Sequence, residues 1–348
     1  MIKEIDIEES LHRKDLFFID VRSESEYEVD TIPGAINMPI LNDSEREHVG
    51  YVYTQIDKDE AKKLGLKYAS VKLVDFYEKA KNINKDNKNI ALFCYRGGMR
   101  SNSVANVLST MGINLFLIKG GYKGYRKYVL EKIPKYEGKY KYIVLHGYTG
   151  AGKTKILKEL ENLGKSVLDL ESLAQNAGSV FGNIAFEGKS NSQKKFESLL
   201  LSRFESISDV NVFIESESKR VGKAVLPDFL FNDMEKGYHV LINTELDKRI
   251  ENIVDDYISS TSYTKDTEIK DAIDKLRKNL GNEKVNMLIA ELEKKNYPLI
   301  VKELMINYYD PLYKYSIEKL DKYDKVIKYS NAINVAIQLI EFVNSLSK

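Results

Sequence analysis

Tyr142-Ile143-Val144-Leu145-His146-Gly147-Tyr148-Thr149-Gly150-Ala151-Gly152-Lys153-Thr154 passes from an apolar run through a glycine loop into the first turn of a helical pattern. The loop has the Gly-x-x-x-x-Gly-Lys-Thr spacing of a Walker A phosphate loop, in the strand-to-helix setting that this spacing needs. Its glycines let successive N–H groups curl around a phosphate, the helix N-terminus adds positive potential, and Lys153 supplies a point charge. Gly147, Gly150, Gly152, Lys153 and Thr154 are therefore the expected phosphate-binding residues, with Thr154 placed to hold Mg²⁺ if one is used. The pattern leaves the ligand open, because a diphosphate of any origin suits such a cradle.

Downstream of this loop, Thr154 to Leu163 reads as a helix, and Ser166 to Leu170, Val210 to Ile214 and His239 to Asn243 read as buried strands. Glu215, at the end of the second of these, is the expected Walker B-like acid and the other contact for Mg²⁺. Asp169 and Glu171 are candidate second-site acids facing the phosphates; for all three the competing reading is an ordinary carboxylate at a loop edge. From Leu246 the pattern is mostly helical, and acids alternate with lysines on outer faces such as Asp271 to Gly281 and Lys284 to Asn296, which reads as solvated helix surface. Lys325 to Tyr329 and Ala332 to Leu346 are a late strand and helix that complete the second sheet.

Upstream, Leu16 to Val21 is an apolar run ahead of the Ile32-Pro33-Gly34-Ala35 turn, and helical periodicity starts at Ser70. Asn89 to Phe93 is a buried strand, Ser101 to Met111 a helix closed by Gly112, and Asn114 to Ile118 the next strand. Strands alternating with helices predict a parallel α/β sheet. Between Gly120 and Tyr142 the chain is rich in glycine, lysine and tyrosine and carries Pro134. The expected organisation is therefore a first domain over 1–132, a linker at about 121–142, and a second α/β domain over 140–348 with a helical C-terminal part.

Cys94 opens the loop Cys94-Tyr95-Arg96-Gly97-Gly98-Met99-Arg100-Ser101 at the end of the Asn89 to Phe93 strand. A thiol in a glycine loop at a helix N-terminus meets backbone N–H groups and the positive end of the helix dipole, which stabilise thiolate. Arg96 and Arg100 add positive charge, so Cys94, Arg96 and Arg100 are the expected catalytic residues of a site that holds an anion. The spacing from Cys94 to Arg100 is also that of tyrosine phosphatases. Phe93 stands where those enzymes carry histidine, which weighs against that reading.

The 348 residues suit two domains, with 43% hydrophobic and 30% charged residues as in globular chains, and 53 Lys+Arg against 52 Asp+Glu leave a net charge of +1. Whole-chain charge thus does not announce a polyanionic partner. One cysteine excludes an internal disulfide, and the four histidines show no metal-ligand spacing with it. No structural metal is expected. Neither a secretory pattern at the start nor a long apolar run is present, so a cytoplasmic protein with no membrane span is expected.

Asp20-Val21-Arg22, Glu26-Tyr27 and Thr31-Ile32-Pro33-Gly34-Ala35-Ile36-Asn37-Met38-Pro39, followed by the cysteine loop, resemble the rhodanese family over about residues 1–130. Thr31 departs from the histidine common there. The order of the two halves, with Leu168-Asp169-Leu170-Glu171-Ser172-Leu173-Ala174, Gly178-Ser179-Val180-Phe181-Gly182, Ser192-Gln193-Lys194-Lys195-Phe196-Glu197 and Ile214-Glu215-Ser216-Glu217-Ser218-Lys219-Arg220, closely resembles the bacterial tRNA 2-selenouridine synthase family. That resemblance implies a rhodanese-like domain fused to a P-loop NTPase-like domain. It implies exchange of sulfur for selenium at C2 of wobble 2-thiouridine in tRNAs for Lys, Glu and Gln, by way of S-geranyl-2-thiouridine. Geranyl diphosphate and selenophosphate would be co-substrates, with no tightly bound cofactor and with Cys94 presenting the selenium. The alternative is a sulfurtransferase fused to an ATP-dependent kinase-like module. Lys194, Lys195, Lys219 and Arg220, with the Tyr122 to Tyr142 stretch, are the expected tRNA contacts.

Overall fold

The computed structural model describes residues 2–85, 89–176, 190–255, 266–318, 320 and 322–346. Gly178 to Gly182 lie outside them. The chain forms two compact units: Met1–Lys135 together with Lys194–Ser202, and Tyr136–Gln193 together with Arg203–Lys348.

In the first unit, β1 (Ile2–Ile5), β2 (Leu16–Asp20), β3 (Ile36–Asn37), β4 (Asn89–Phe93) and β5 (Leu115–Ile118) form one parallel sheet in the order β1-β5-β4-β2-β3. Ile90, Ala91, Leu92 and Phe93 are all buried, as a central parallel strand covered on both faces requires. The edge strand β1 has no such run; Lys3 and Glu4 are exposed, and its sequence gives no strand signal. The same is true of the helices Asp43–Gln55 and Lys58–Ser70, which bury only Val52, Ala61 and Ala69. Their ends are nonetheless well specified: Asn42 accepts from the Glu45 N–H at 2.8 Å, and Asp57 accepts from the Asp59 and Glu60 N–H groups. The helix expected from Ser70 starts at Leu73.

Much of the stretch expected as a linker carries regular structure. Gly121–Lys132 is a helix that buries Tyr122, Tyr125 and Val129 in the first unit, and a 3₁₀ turn at Ile133–Tyr136 follows it. Tyrosine supplies the apolar face here, so a stretch that looks polar by composition packs as core.

In the second unit, β6 (Lys141–His146), β7 (Val167–Leu168), β8 (Asn211–Glu215), β11 (Tyr238–Asn243) and β12 (Lys325–Lys328) form a parallel sheet in the order β12-β11-β6-β8-β7. A short hairpin of β9 (Arg220–Val221) and β10 (Ala224–Val225) stands apart from it. β7 is shorter than expected because Asp169 leaves the strand and caps the helix Leu170–Ala174, accepting from the Ser172 N–H at 2.8 Å. Ile143 and Leu145 face the helices Lys153–Asn162 and Ala332–Leu346 through Ile156, Leu160, Val335 and Leu339. Strand alternation turns Val144 and His146 to the opposite face, where the cavity described below lies. The helical part has its own core of Ile273, Leu288, Ile300 and Leu304.

Candidate functional site

Cys94 sits at the C-terminal end of β4, only 3% exposed. The Ser101 hydroxyl donates to its Sγ at 3.3 Å, and the thiol points to the Gly98 carbonyl at 3.9 Å. Burial pushes the thiol up, but the Ser101 hydroxyl and N–H, the Arg96 N–H and the charge of Arg100 outweigh it, so the pKa lies below the ordinary thiol value. The two arginines act differently. Arg100 is held by Glu26, at 2.6 Å and 3.3 Å, and projects its charge from that pair. The Arg96 guanidinium instead lies over the Tyr95 ring, 5.8 Å from its centroid, and it is the backbone of Arg96 that serves the thiolate.

The loop is held from behind by the helix Gly121–Lys132. The Tyr122 and Lys123 N–H groups donate to the Cys94 and Tyr95 carbonyls, each at 2.9 Å. Gly121 adopts φ +55°, and a Cβ there would stand 2.3 Å from the Cys94 carbonyl oxygen, so only glycine allows this approach. The Tyr122 hydroxyl donates to the buried Asp30 at 2.9 Å, Ser198 donates to the same oxygen at 3.0 Å, and the Arg22 guanidinium stacks on the Tyr122 ring. Arg22 is in turn paired with buried Asp20, which also accepts from Thr31 at 2.9 Å. The residue in place of the usual histidine thus takes a structural hydrogen bond.

In the second unit the phosphate loop joins β6 to the helix Lys153–Asn162. Its carbonyls are turned to protein donors: Arg249 Nε donates to Thr149 O at 2.9 Å, Asn252 to Gly150 O at 2.9 Å, and Thr244 to Ala151 O at 3.1 Å. The Ala151 N–H is used within the loop, donating to the Tyr148 carbonyl at 3.0 Å. Arg249 is itself gripped by Asp310, and a Cβ on Gly150, φ +78°, would meet the Arg249 carbonyl oxygen at 2.6 Å. Lys153 Nζ rests on the Gly147 carbonyl at 3.2 Å. None of these buttressing residues is marked by a motif; Arg249, Asn252 and Asp310 sit in helical sequence far along the chain.

Asp169, Glu171 and Glu215 come together, and Glu217 joins them. Glu215 accepts the Glu171 N–H at 2.8 Å. Burial and the neighbouring Glu217 push Glu171 up to about 8 against the pull of Lys153, and burial also raises Asp169, Glu215 and Glu217. Thr154 is exposed on the helix. Among the described residues no three His, Cys, Asp or Glu side chains are arranged to hold a metal ion. Glu217, two residues beyond Glu215, also lines a cavity of about 660 Å³ that Gly147 borders.

The expected tRNA contacts divide between the units: Lys194 and Lys195 lie on the helix Gln193–Ser206, in its part belonging to the first unit, and Lys219 and Arg220 lie in the second. Lys219 pairs with Asp228 at 2.6 Å, and Arg220 borders the cavity. No described helix is long and apolar enough to cross a membrane.

A thiolate loop on one parallel sheet and a phosphate cradle on another define a rhodanese-like domain joined to a P-loop domain. Profile comparison matches residues 5–128 to the rhodanese-like domain and residues 140–342 to the tRNA 2-selenouridine synthase AAA domain. The chain belongs to the tRNA 2-selenouridine synthase family. The tRNA 2-selenouridine synthase of Nitrosomonas europaea is 36% identical over 73% of this chain and 67% of its own, and that of a Sulfurovum species is 32% identical over 86% and 88%. A solved N-terminal domain from Clostridium difficile 630 is 44% identical over 37% of this chain and 99% of its own, with a TM-score of 0.36.

Proposed function

We propose that this chain converts 2-thiouridine to 2-selenouridine at the wobble position of tRNAs for Lys, Glu and Gln, in two stages served by two sites. In the first, geranyl diphosphate is held at the phosphate loop and its geranyl group passes to the thiouridine sulfur. In the second, selenophosphate presented at the Cys94 loop attacks C2 through selenium and displaces geranylthiol, and water then cleaves the P–Se bond, releasing phosphate and leaving selenium on C2. Alkylation matters because a thiocarbonyl sulfur leaves poorly and a thiolate leaves well.

The observation that carries the reading is the cavity that starts at Gly147. Val144, Val221, Phe231, Met234, Ile317 and Leu320 give it an apolar wall directly beside the phosphate cradle. A diphosphate ester of a hydrocarbon chain matches that pairing, with the phosphates on the loop N–H groups and Lys153 and the chain against the wall. Thr154 and Glu215 are the positions that would hold Mg²⁺ if the reaction uses it, although Glu215 is buried and engaged by the Glu171 N–H.

Mass spectrometry of nucleosides from 2-thiouridine tRNA incubated with the chain, geranyl diphosphate and selenophosphate tests this. Omitting selenophosphate should leave S-geranyl-2-thiouridine, and omitting geranyl diphosphate should leave 2-thiouridine. ATP-dependent turnover without either product would instead favour the kinase-like module.

A further inference from the structure

Two histidines that phosphate binding leaves unused border the same cavity. His146 ends β6, one residue before Gly147, and His239 lies on the neighbouring strand β11. Their hydrogen bonds fix both tautomers. The Glu235 carbonyl can only accept, so His239 Nε2, 3.2 Å away, carries a hydrogen and His239 Nδ1 a lone pair. His146 Nε2, 2.8 Å from that lone pair, must then be the donor. His146 Nδ1 is left with its own lone pair, and no described residue donates to it.

The ring of His146 is 8% exposed and is met edge-on by Tyr323, with centroids 5.2 Å apart. Burial, then His239 and Lys153, push its pKa down to about 3, so it is neutral under all ordinary conditions. The other charged or titratable groups around it are Glu217 after β8, Arg220 on β9, Glu235 before β11 and Tyr313 in the helix Asp310–Glu318.

We propose that His146 Nδ1 accepts the proton that 2-thiouridine releases when its sulfur is alkylated, a role that rests on the geranyl-transfer reading above. The sulfur forms a bond to C1 of the geranyl group as the C1–O bond breaks, its electron pair leaving with diphosphate. The N3–H bond pair becomes the C2=N3 double bond, and the proton goes to His146 Nδ1. Positive charge building on the pyrimidine acidifies N3–H, so a weakly basic imidazole is sufficient. The resulting imidazolium keeps its hydrogen bond to His239 and stands beside the departing diphosphate, to which it can return the proton.

The test is single-turnover geranylation of 2-thiouridine tRNA by the full chain and its His146→Gln variant, with geranyl diphosphate affinity measured separately by calorimetry. At pH 7 the variant should lose about 10²-fold or more in rate at unchanged affinity. It should recover about tenfold per pH unit toward the ionisation of N3–H, since pre-ionised thiouridine needs no base, whereas the wild-type profile stays shallow. His239→Phe keeps His146 but removes the acceptor that sets its tautomer, and should lose about tenfold with the same pH pattern; it carries the test if His146→Gln does not fold. An unchanged rate, a loss equal at every pH, or a loss matched by weaker diphosphate binding overturns the proposal. A wild-type chain that makes no S-alkylated nucleoside overturns the underlying reading instead, and this role with it.

Discussion

Ser101 donates through both hydroxyl and N–H to a thiol that burial alone would keep protonated. A hydrogen bond to a charged group contributes about 1.5–3 kcal/mol, which corresponds to roughly one to two pKa units. Ser101→Ala should therefore move the midpoint of Cys94 alkylation upward by about that much and lower the thiolate fraction at pH 7, which iodoacetamide kinetics across pH will read cleanly in a chain with one cysteine. An unmoved midpoint would mean that the backbone N–H groups and Arg100 suffice. Cys94→Ser should stop 2-selenouridine formation while sparing S-geranylation, because a hydroxyl of high pKa cannot carry selenium as a thiolate does. Wild-type selenation by the serine variant would show the thiol to be dispensable.

At the level of the elements, both sites are a strand end, a glycine loop and a helix, and each loop is supported by a distant element that a substitution can disturb. Gly121→Ala forces a side chain onto the Cys94 carbonyl and into left-handed backbone that alone costs about 1–3 kcal/mol, so the melting temperature should fall and the thiol should react abnormally. Gly138→Ala, with φ +66° but open space around it, is the control for backbone strain without the clash. Lys153→Ala removes the cation of the phosphate cradle while leaving the cysteine loop intact. Pyrophosphate binding, read by calorimetry, and geranylation should both be lost, and supplied S-geranylated tRNA should restore selenation at least in part. Failure of that bypass in a folded variant would mean that the phosphate loop also serves the selenium step.

For the whole molecule, the helix Gln193–Ser206 matters most, because Lys194–Ser202 completes the first unit although it follows the phosphate loop in sequence. Ser198 donates to buried Asp30, and Glu197 pairs with Arg126. A fragment of residues 1–135 should consequently melt well below the full chain and bind a hydrophobic dye, and adding a 194–202 peptide in excess should raise its melting temperature; a fragment as stable as the full chain would show the segment to be dispensable. By itself the sequence determined the two parallel α/β sheets and the placement of the Cys94 loop and the Walker A-type loop, each between a strand and a helix. Strand alternation, apolar runs and glycine at fixed offsets are properties of neighbouring residues, so they are legible without any contact being known. It did not reveal the helix Gly121–Lys132, whose apolar face is built from tyrosine, or the charged helices that bury few residues. Only the tertiary structure decided that Arg249, Asn252 and Thr244 hold the loop carbonyls, that Glu217 joins the acids, that Arg96 reaches the Cys94 thiol through its backbone N–H, and that His146 faces His239. A polar side chain takes its role from whatever group the fold brings opposite it, and residues a hundred positions apart carry no local pattern that announces their meeting.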